Sequence, residues 1–210
     1  MPFDLLRSHS KVLGALDVHY VLPQGQSAGA FDLFVQWLYT RKYNEKTGQV
    51  ATFSTAARET NASLAIVERS SDTIDWTVKA AILAWQMGQH FDCNDFQNYA
   101  MERLFAAYSQ PHTRPITGEV FEYVLRDQID SFSPIDVLEH FFEDIVVRNW
   151  GDKLIIDHQD NRSWSKVLQG IKSFRDKFLD ATMLSLEKRR EHLMELANYM
   201  VWRYCSEVEV

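Results

Sequence analysis

Residues Ala30 to Thr40 read AFDLFVQWLYT, and Ala80 to Ala107 read AAILAWQMGQHFDCNDFQNYAMERLFAA. In the first stretch Phe31, Phe34, Val35 and Leu38 fall at i, i+3, i+4 and i+7, which is one face of a helix. Trp37 widens that face, and Asp32 and Gln36 lie on the other side. Ala28-Gly29 ahead of it and Arg41-Lys42 behind it suit a helix start and a cationic helix end. The stretch predicts a short amphipathic helix whose apolar face is core. Its C-terminal corner, Tyr39 to Tyr43, is where a function would be exposed.

The second stretch reads as two helices joined by the tight turn HFDCND. Ile74, Val78, Ala81, Ile82 and Trp85 line one face of a helix predicted over 74–89, with Ser71-Asp72-Thr73 offering the N-cap. Phe96, Tyr99, Ala100, Leu104, Ala107 and Tyr108 make the stripe of a helix predicted over 95–108, capped by Asp or Asn. Together they form a helical hairpin.

Outward toward the N-terminus, Phe3 to Leu16 predicts a helix with His9 inside it, a structural histidine rather than a ligand or base. Tyr20-Val21-Leu22, ended by Pro23, predicts a strand. Between the two quoted stretches, residues 44–73 are polar, with one apolar island, Leu64-Ala65-Ile66-Val67, readable as a strand or a helical turn. So long a loop is uncommon inside a compact domain. It is expected to be partly disordered or to be an insertion that covers something, and the island is a candidate partner for the strand at 20–22.

Toward the C-terminus, SQPHTRP at 109–115 is the best boundary in the chain. Two units are expected, 1–109 and 110–210. Thr117 caps a helix carrying Val120, Phe121, Val124 and Leu125. Ser133-Pro134 opens another over 135–150, with Ile135, Leu138, Phe142, Ile145 and Val146 inward, stopped by Gly151. A linker over 152–161 leads to two last helices, about 163–179 and 182–205, the second striped by Leu193, Leu196, Ala197, Met200, Val201 and Tyr204.

Composition agrees with this helical reading. Only 8 Gly and 5 Pro argue against many tight β-turns, and aromatics at 13% predict an aromatic-rich core. The formal net charge of −7 disfavours a phosphate backbone as partner. Two cysteines far apart in sequence, Cys93 and Cys205, make no disulfide framework and no CxxC site, and they fit a reducing compartment. No apolar run suits a signal peptide or a membrane span, so the expected location is cytoplasmic or nuclear.

None of the phosphate-binding, zinc-protease or nucleophile-elbow motifs is present. His90-Phe91-Asp92-Cys93-Asn94-Asp95 holds four possible metal-binding side chains, at a spacing that matches no zinc or calcium loop. A capped helical turn explains it at less cost, and no cofactor is expected. Asp157-His158-Gln159-Asp160 reads as a solvated loop rather than acid–base machinery. Lys188-Arg189-Arg190, flanked by Glu187, Glu191 and Glu195, reads as a salt-bridged helix face.

FDLFVQWLYTRKY followed by the helix pair at 79–108 resembles the second half of BTB/POZ domains, particularly the fungal type. The resemblance runs through Tyr20-Val21-Leu22-Pro23, the helix Phe31 to Thr40, Gly88, and the set Phe96, Asn98, Ala100 and Met101. Upstream, FDLLRSHSKVLGAL is similar to the family helix that carries a serine pair, here Ser8 and Ser10, ahead of Leu13; Arg114-Pro115-Ile116-Thr117 resembles the extension of fungal members. It covers about residues 3–135, leaving 44–73 unmatched. The family's N-terminal helix and strands would lie ahead of this chain's start. The expected fold is therefore mainly α, with a small α+β remnant: a truncated BTB/POZ-like helical core over 1–109 and a helical extension over 110–210. The resemblance implies a protein-interaction module and not an enzyme. Its partner would be a second copy or another protein such as a cullin-type ubiquitin-ligase scaffold. Mapped onto this chain, the contact residues are Arg41, Lys42 and Tyr43, with Tyr108 at the far end. Two other readings stand beside it: an enzyme with a site near His90, Cys93 or His158, and a helical nucleic-acid binder using Lys188 to Arg190.

Overall fold

The AFDLFVQWLYT stretch is helical in the computed structural model: α1 spans Ala28–Thr40 and buries Ala30, Leu33, Phe34, Trp37 and Leu38. The buried face is turned slightly from the predicted one, so that Phe31 and Val35 sit at its half-buried edge. The structure describes residues 28–53, 61, 63–68, 72–110, 113–126, 137–159 and 161–202. The helix expected over 3–16, the strand at 20–22 and Cys205 lie outside them.

After α1 come β1 (Gln49–Ala51) and β2 (Thr73–Asp75), then α2 (Trp76–His90), α3 (Asn94–Tyr108), α4 (Gly118–Arg126) and α5 (Val137–Asn149). The chain continues through α6 (Asn161–Gly170), α7 (Lys172–Thr182), the short α8 (Leu186–Arg190) and a 3-10 turn over Leu196–Tyr199. The fold is mainly α.

The hairpin α2–α3 is the centre. Its helices lie against each other more extensively than any other pair. Gly88 permits that approach, because a Cβ there would meet Gln97 Cγ at 2.7 Å and the Gln97 backbone nitrogen at 3.0 Å. The face of α1 seats on the turn between them: Phe34 packs 5.0 Å from Phe91 and 5.1 Å from Phe96, and Trp37 packs 5.2 Å from Phe96. Helix α2 starts later than predicted. Residues 73–75 pair antiparallel with β1 instead, and the Trp76 N–H donates to the Gly48 carbonyl at 3.0 Å. Cys93, not Asp or Asn, occupies the N-cap of α3.

The polar stretch 44–73 is structural where it is described. Val50 and Phe53 are buried, Phe53 stacks on Tyr123 at 3.7 Å, and Ile66 of the apolar island bridges Val50. Trp76 Nε1 donates to the Leu64 carbonyl at 3.2 Å. The segment covers the flank of α2 and joins the core.

Buried side chains on both sides of residue 109 form one continuous set. Phe105 and Tyr108 of α3 pack on Phe141 of α5, and Tyr123 of α4 donates to Gln86 of α2 at 3.1 Å. Thr117 caps α4 as predicted, accepting from the Val120 N–H at 3.3 Å. A second aromatic nest, Phe121, Phe174, Trp150, Trp164 and Phe178, joins α4, α6, α7 and the end of α5.

The last third departs from the predicted pair of long helices. Residues 163–179 are not one helix. The chain breaks at Ile171, which is extended (φ −119°, ψ 97°), so that α6 can face α4 while α7 faces α5. Gly170 beside it lowers the cost of ending α6. Nor is the second predicted helix continuous where the structure describes it: over residues 183–202 only α8 and the 3-10 turn are helical. Tertiary partners take the place of the helical ladder. Tyr199 Oη donates to Asp144 at 2.7 Å, and Val201 is held by the Asn98 side chain. Leu193, on the predicted inner stripe, is 76% exposed.

Candidate functional site

The corner after α1 is built from the helix end outward. Arg41 takes a left-handed conformation (φ 59°), its N–H donates to the Trp37 carbonyl at 2.7 Å, and its guanidinium lies 4.8 Å above the Trp37 ring. Gln36 Oε1 accepts from the Asn44 N–H at 2.9 Å, which closes the turn back onto α1. The result is a fixed corner that presents Tyr39, Arg41 and Lys42 to solvent, with Tyr39 54% exposed.

Tyr43 is different. It was expected at the surface and is buried, 4% exposed, with its ring 5.2 Å from Tyr99 and 6.2 Å from Trp76. Burial pushes its phenol well above the ordinary value. The left-handed Arg41 reverses the chain and so turns the Tyr43 ring inward. Two residues on, Glu45 receives a two-pronged ion pair from Arg103 of α3, with Nη2 to Oε2 at 2.9 Å. Tyr43 and Glu45 thus brace the corner from beneath.

Tyr108 stands apart from that corner. It lies about 13 Å further along α3 than Tyr99, at 1.5 Å per helical residue. Its ring is 6.2 Å from Phe141 and 6.1 Å from Phe142. Burial first, and the Asp75 carboxylate second, push its phenol up. Tyr108 lines an open groove of about 390 Å³, together with Phe105, Phe141, Ile145, Arg148 and Met194. A second cavity of about 300 Å³ lies beside it and shares Arg148, Leu193 and Met194. No local pattern in the sequence marks this groove. Residues 193–194 fall within a predicted helix that does not form there, and Arg148 carries no local signal of a groove.

The remaining candidates are scattered. Cys93 is buried in the core, and His90 is half-buried with its ring 5.2 Å from that of Phe91. Burial lowers the His90 pKa. His158 packs 4.6 Å from Trp150, and its Nε2 accepts from the Gly151 N–H at 3.0 Å, a structural use. Asp160 lies outside the described residues. Among the described residues no three His, Cys, Asp or Glu side chains gather as a metal site would need, and no helix is long and apolar enough to cross a membrane.

The basic run at 188–190 is only partly the predicted salt-bridged face. Lys188 does pair with Glu191 at 3.6 Å. Arg189 instead donates to the carbonyls of Val147 and Trp150 at the end of α5, where a cation meets the negative end of the helix dipole. Arg190 grips Asn149 Oδ1 at 3.0 Å and the Asp152 carboxylate. Arg148 donates back to the Arg190 carbonyl at 3.1 Å. These arginines clip α8 onto α5.

No known protein family, curated protein or solved structure matches the chain.

Proposed function

We propose that the chain is a protein-interaction module of BTB/POZ type, which self-associates or docks a partner such as a ubiquitin-ligase scaffold. The observation that carries the reading is the braced corner Tyr39–Arg41–Lys42. An exposed tyrosine flanked by cations, on backbone fixed from beneath by Tyr43 and the Glu45–Arg103 pair, has the chemistry of an interface anchor. Pre-organisation matters because a corner that is already ordered loses little entropy on binding. The order of a helix, a corner and a helical hairpin also follows the motif order of the resemblance. Arg41 and Lys42 would contact the partner and Tyr43 would hold them in place. Tyr108 belongs to a different face.

The test is association in solution. Light scattering over a concentration series reads self-association, and calorimetric titration with the N-terminal domain of a cullin-type scaffold reads hetero-association. The chain associates in at least one assay, and the combined Tyr39→Ala, Arg41→Glu, Lys42→Glu variant weakens it about tenfold or more while the melting temperature is retained. Association indifferent to that variant, or none in either assay, refutes the reading.

A further inference from the structure

The groove beside Tyr108 is lined by Phe105, Tyr108, Phe141 and Ile145, and no carboxylate lines it among the described residues. Two guanidinium groups, Arg148 and Arg190, stand at its wall. Arg190 is committed to Asn149 and Asp152. Arg148 is not so committed. Of its five N–H donors, one bonds the Arg190 carbonyl, and it has no carboxylate partner among the described residues. It is also the wall shared with the second cavity, where Val147, Leu184 and Leu193 supply apolar surface. In that cavity the one carboxylate among the described residues, Asp144, is already held by Lys177 at 2.8 Å and by Tyr199 at 2.7 Å. Leu193, 76% exposed, stands as an apolar ridge between the two.

An arginine with donors uncommitted among the described residues therefore lines two mostly apolar hollows, on a chain whose formal net charge is −7. An acidic ligand is repelled by most of this surface and favoured here, and a carboxylate makes a forked, charge-assisted pair with a guanidinium. We infer that this paired groove docks an acidic peptide segment of a partner protein, with a carboxylate on Arg148 and an apolar side chain in the hollow on each side. The inference rests on the interaction-module reading and adds to it a second face and the chemistry of its partner.

The probe is a fluorescein-labelled synthetic peptide of alternating leucine and glutamate, followed by fluorescence anisotropy. Two control peptides alternate leucine with lysine and serine with glutamate. The leucine–glutamate peptide binds saturably and the controls bind at least about tenfold more weakly. Arg148→Gln weakens binding about tenfold. Leu193→Glu does the same, and because that side chain is exposed the melting temperature stays unchanged even if Arg148→Gln perturbs folding. Absence of saturable binding, equal binding of the serine–glutamate peptide, or indifference to both variants overturns the inference. So does binding seen only after deletion of residues 203–210, which would make the chain's own acidic segment the occupant. Dissociation of a dimer by the peptide also overturns it, since the occupant would then be a second copy. If the groove fails while association sensitive to Tyr39, Arg41 and Lys42 persists, only this inference falls.

Discussion

Asn98 of α3 and Val201 near the C-terminus bond each other twice: Asn98 Nδ2 donates to the Val201 carbonyl at 3.0 Å, and the Val201 N–H donates to Asn98 Oδ1. One amide side chain thus pairs with a backbone as a neighbouring strand would. It fastens the segment after the 3-10 turn to the central hairpin across 103 residues of sequence.

Asn98→Ala is expected to cost about 1–2 kcal/mol, because two hydrogen bonds are lost and the Val201 backbone is left unpaired on the protein side. Urea denaturation measures the loss. Limited proteolysis reports its location: cleavage within 191–202 accelerates in the variant, while α2 and α3 stay protected. Unchanged cleavage there would show that Tyr199 and Asp144 alone hold the segment.

Lys79 gives a pH signature. Its side chain is fully buried in α2, with Nζ donating to the Ala51 carbonyl at 2.7 Å and 5.0 Å from the centre of the Phe53 ring. Desolvation lowers its pKa from 10.5 to about 8. Between those values the unfolded chain holds the proton that the folded chain has released. Stability from this group therefore rises with pH across the window from about 8 to 10.5, and below it the burial cost is fully present. Lys79→Met removes that slope. The stability difference between the two chains, measured by denaturant titration at pH 7 and pH 10, shifts in favour of the lysine chain at the higher pH. An identical difference at both values would refute the assignment.

Gly118 lies where α4 crosses α6. A Cβ there would fall 2.7 Å from Ser163 Cβ and 2.8 Å from the Trp164 backbone nitrogen. Backbone cannot yield as a flexible side chain can. Gly118→Ala therefore forces the two helices apart and costs about 1–3 kcal/mol despite the better helix propensity of alanine. The melting temperature falls accordingly. Near-UV circular dichroism changes with it, because Trp164 and Trp150 are 5.1 Å apart in the adjoining nest.

The Glu45–Arg103 pair sets the rigidity of the corner more than the stability of the fold. Both side chains are part-exposed, so Glu45→Gln lowers global stability by only about 0.5–1 kcal/mol. Amide hydrogen exchange of Lys42 to Glu45 accelerates clearly more than that of α3. Uniform acceleration would mean that the pair acts on the whole fold.

Legibility differs from element to element. Helix α1, the hairpin α2–α3 and the Thr117 cap could be read because their signals are local: a 3.6-residue stripe, a polar turn, a hydroxyl three residues ahead of an N–H. The exposed Arg41 and Lys42 followed from the end of such a stripe. The inward turn of Tyr43 did not, since it depends on the left-handed Arg41 and on Tyr99, 56 positions further along by their numbers. The break at Ile171 and the unwinding after Arg190 were hidden for a similar reason. Their residues carry acceptable helical stripes, and the deciding contacts come from α4, α5 and Asn98.

By itself, then, the sequence determined that this chain is mainly helical, that α1 and the hairpin α2–α3 exist, and that their apolar faces are core. Periodicity and capping act between residues a few positions apart, and sequence records those interactions directly. The tertiary structure alone decided that the described parts of residues 44–73 cover α2, that Tyr43 braces its corner instead of facing solvent, and that Arg148 lines two mostly apolar hollows. Each of these arises from hydrogen bonds and packing between distant segments, whose free energy exceeds the weak local preference of the short stretches involved.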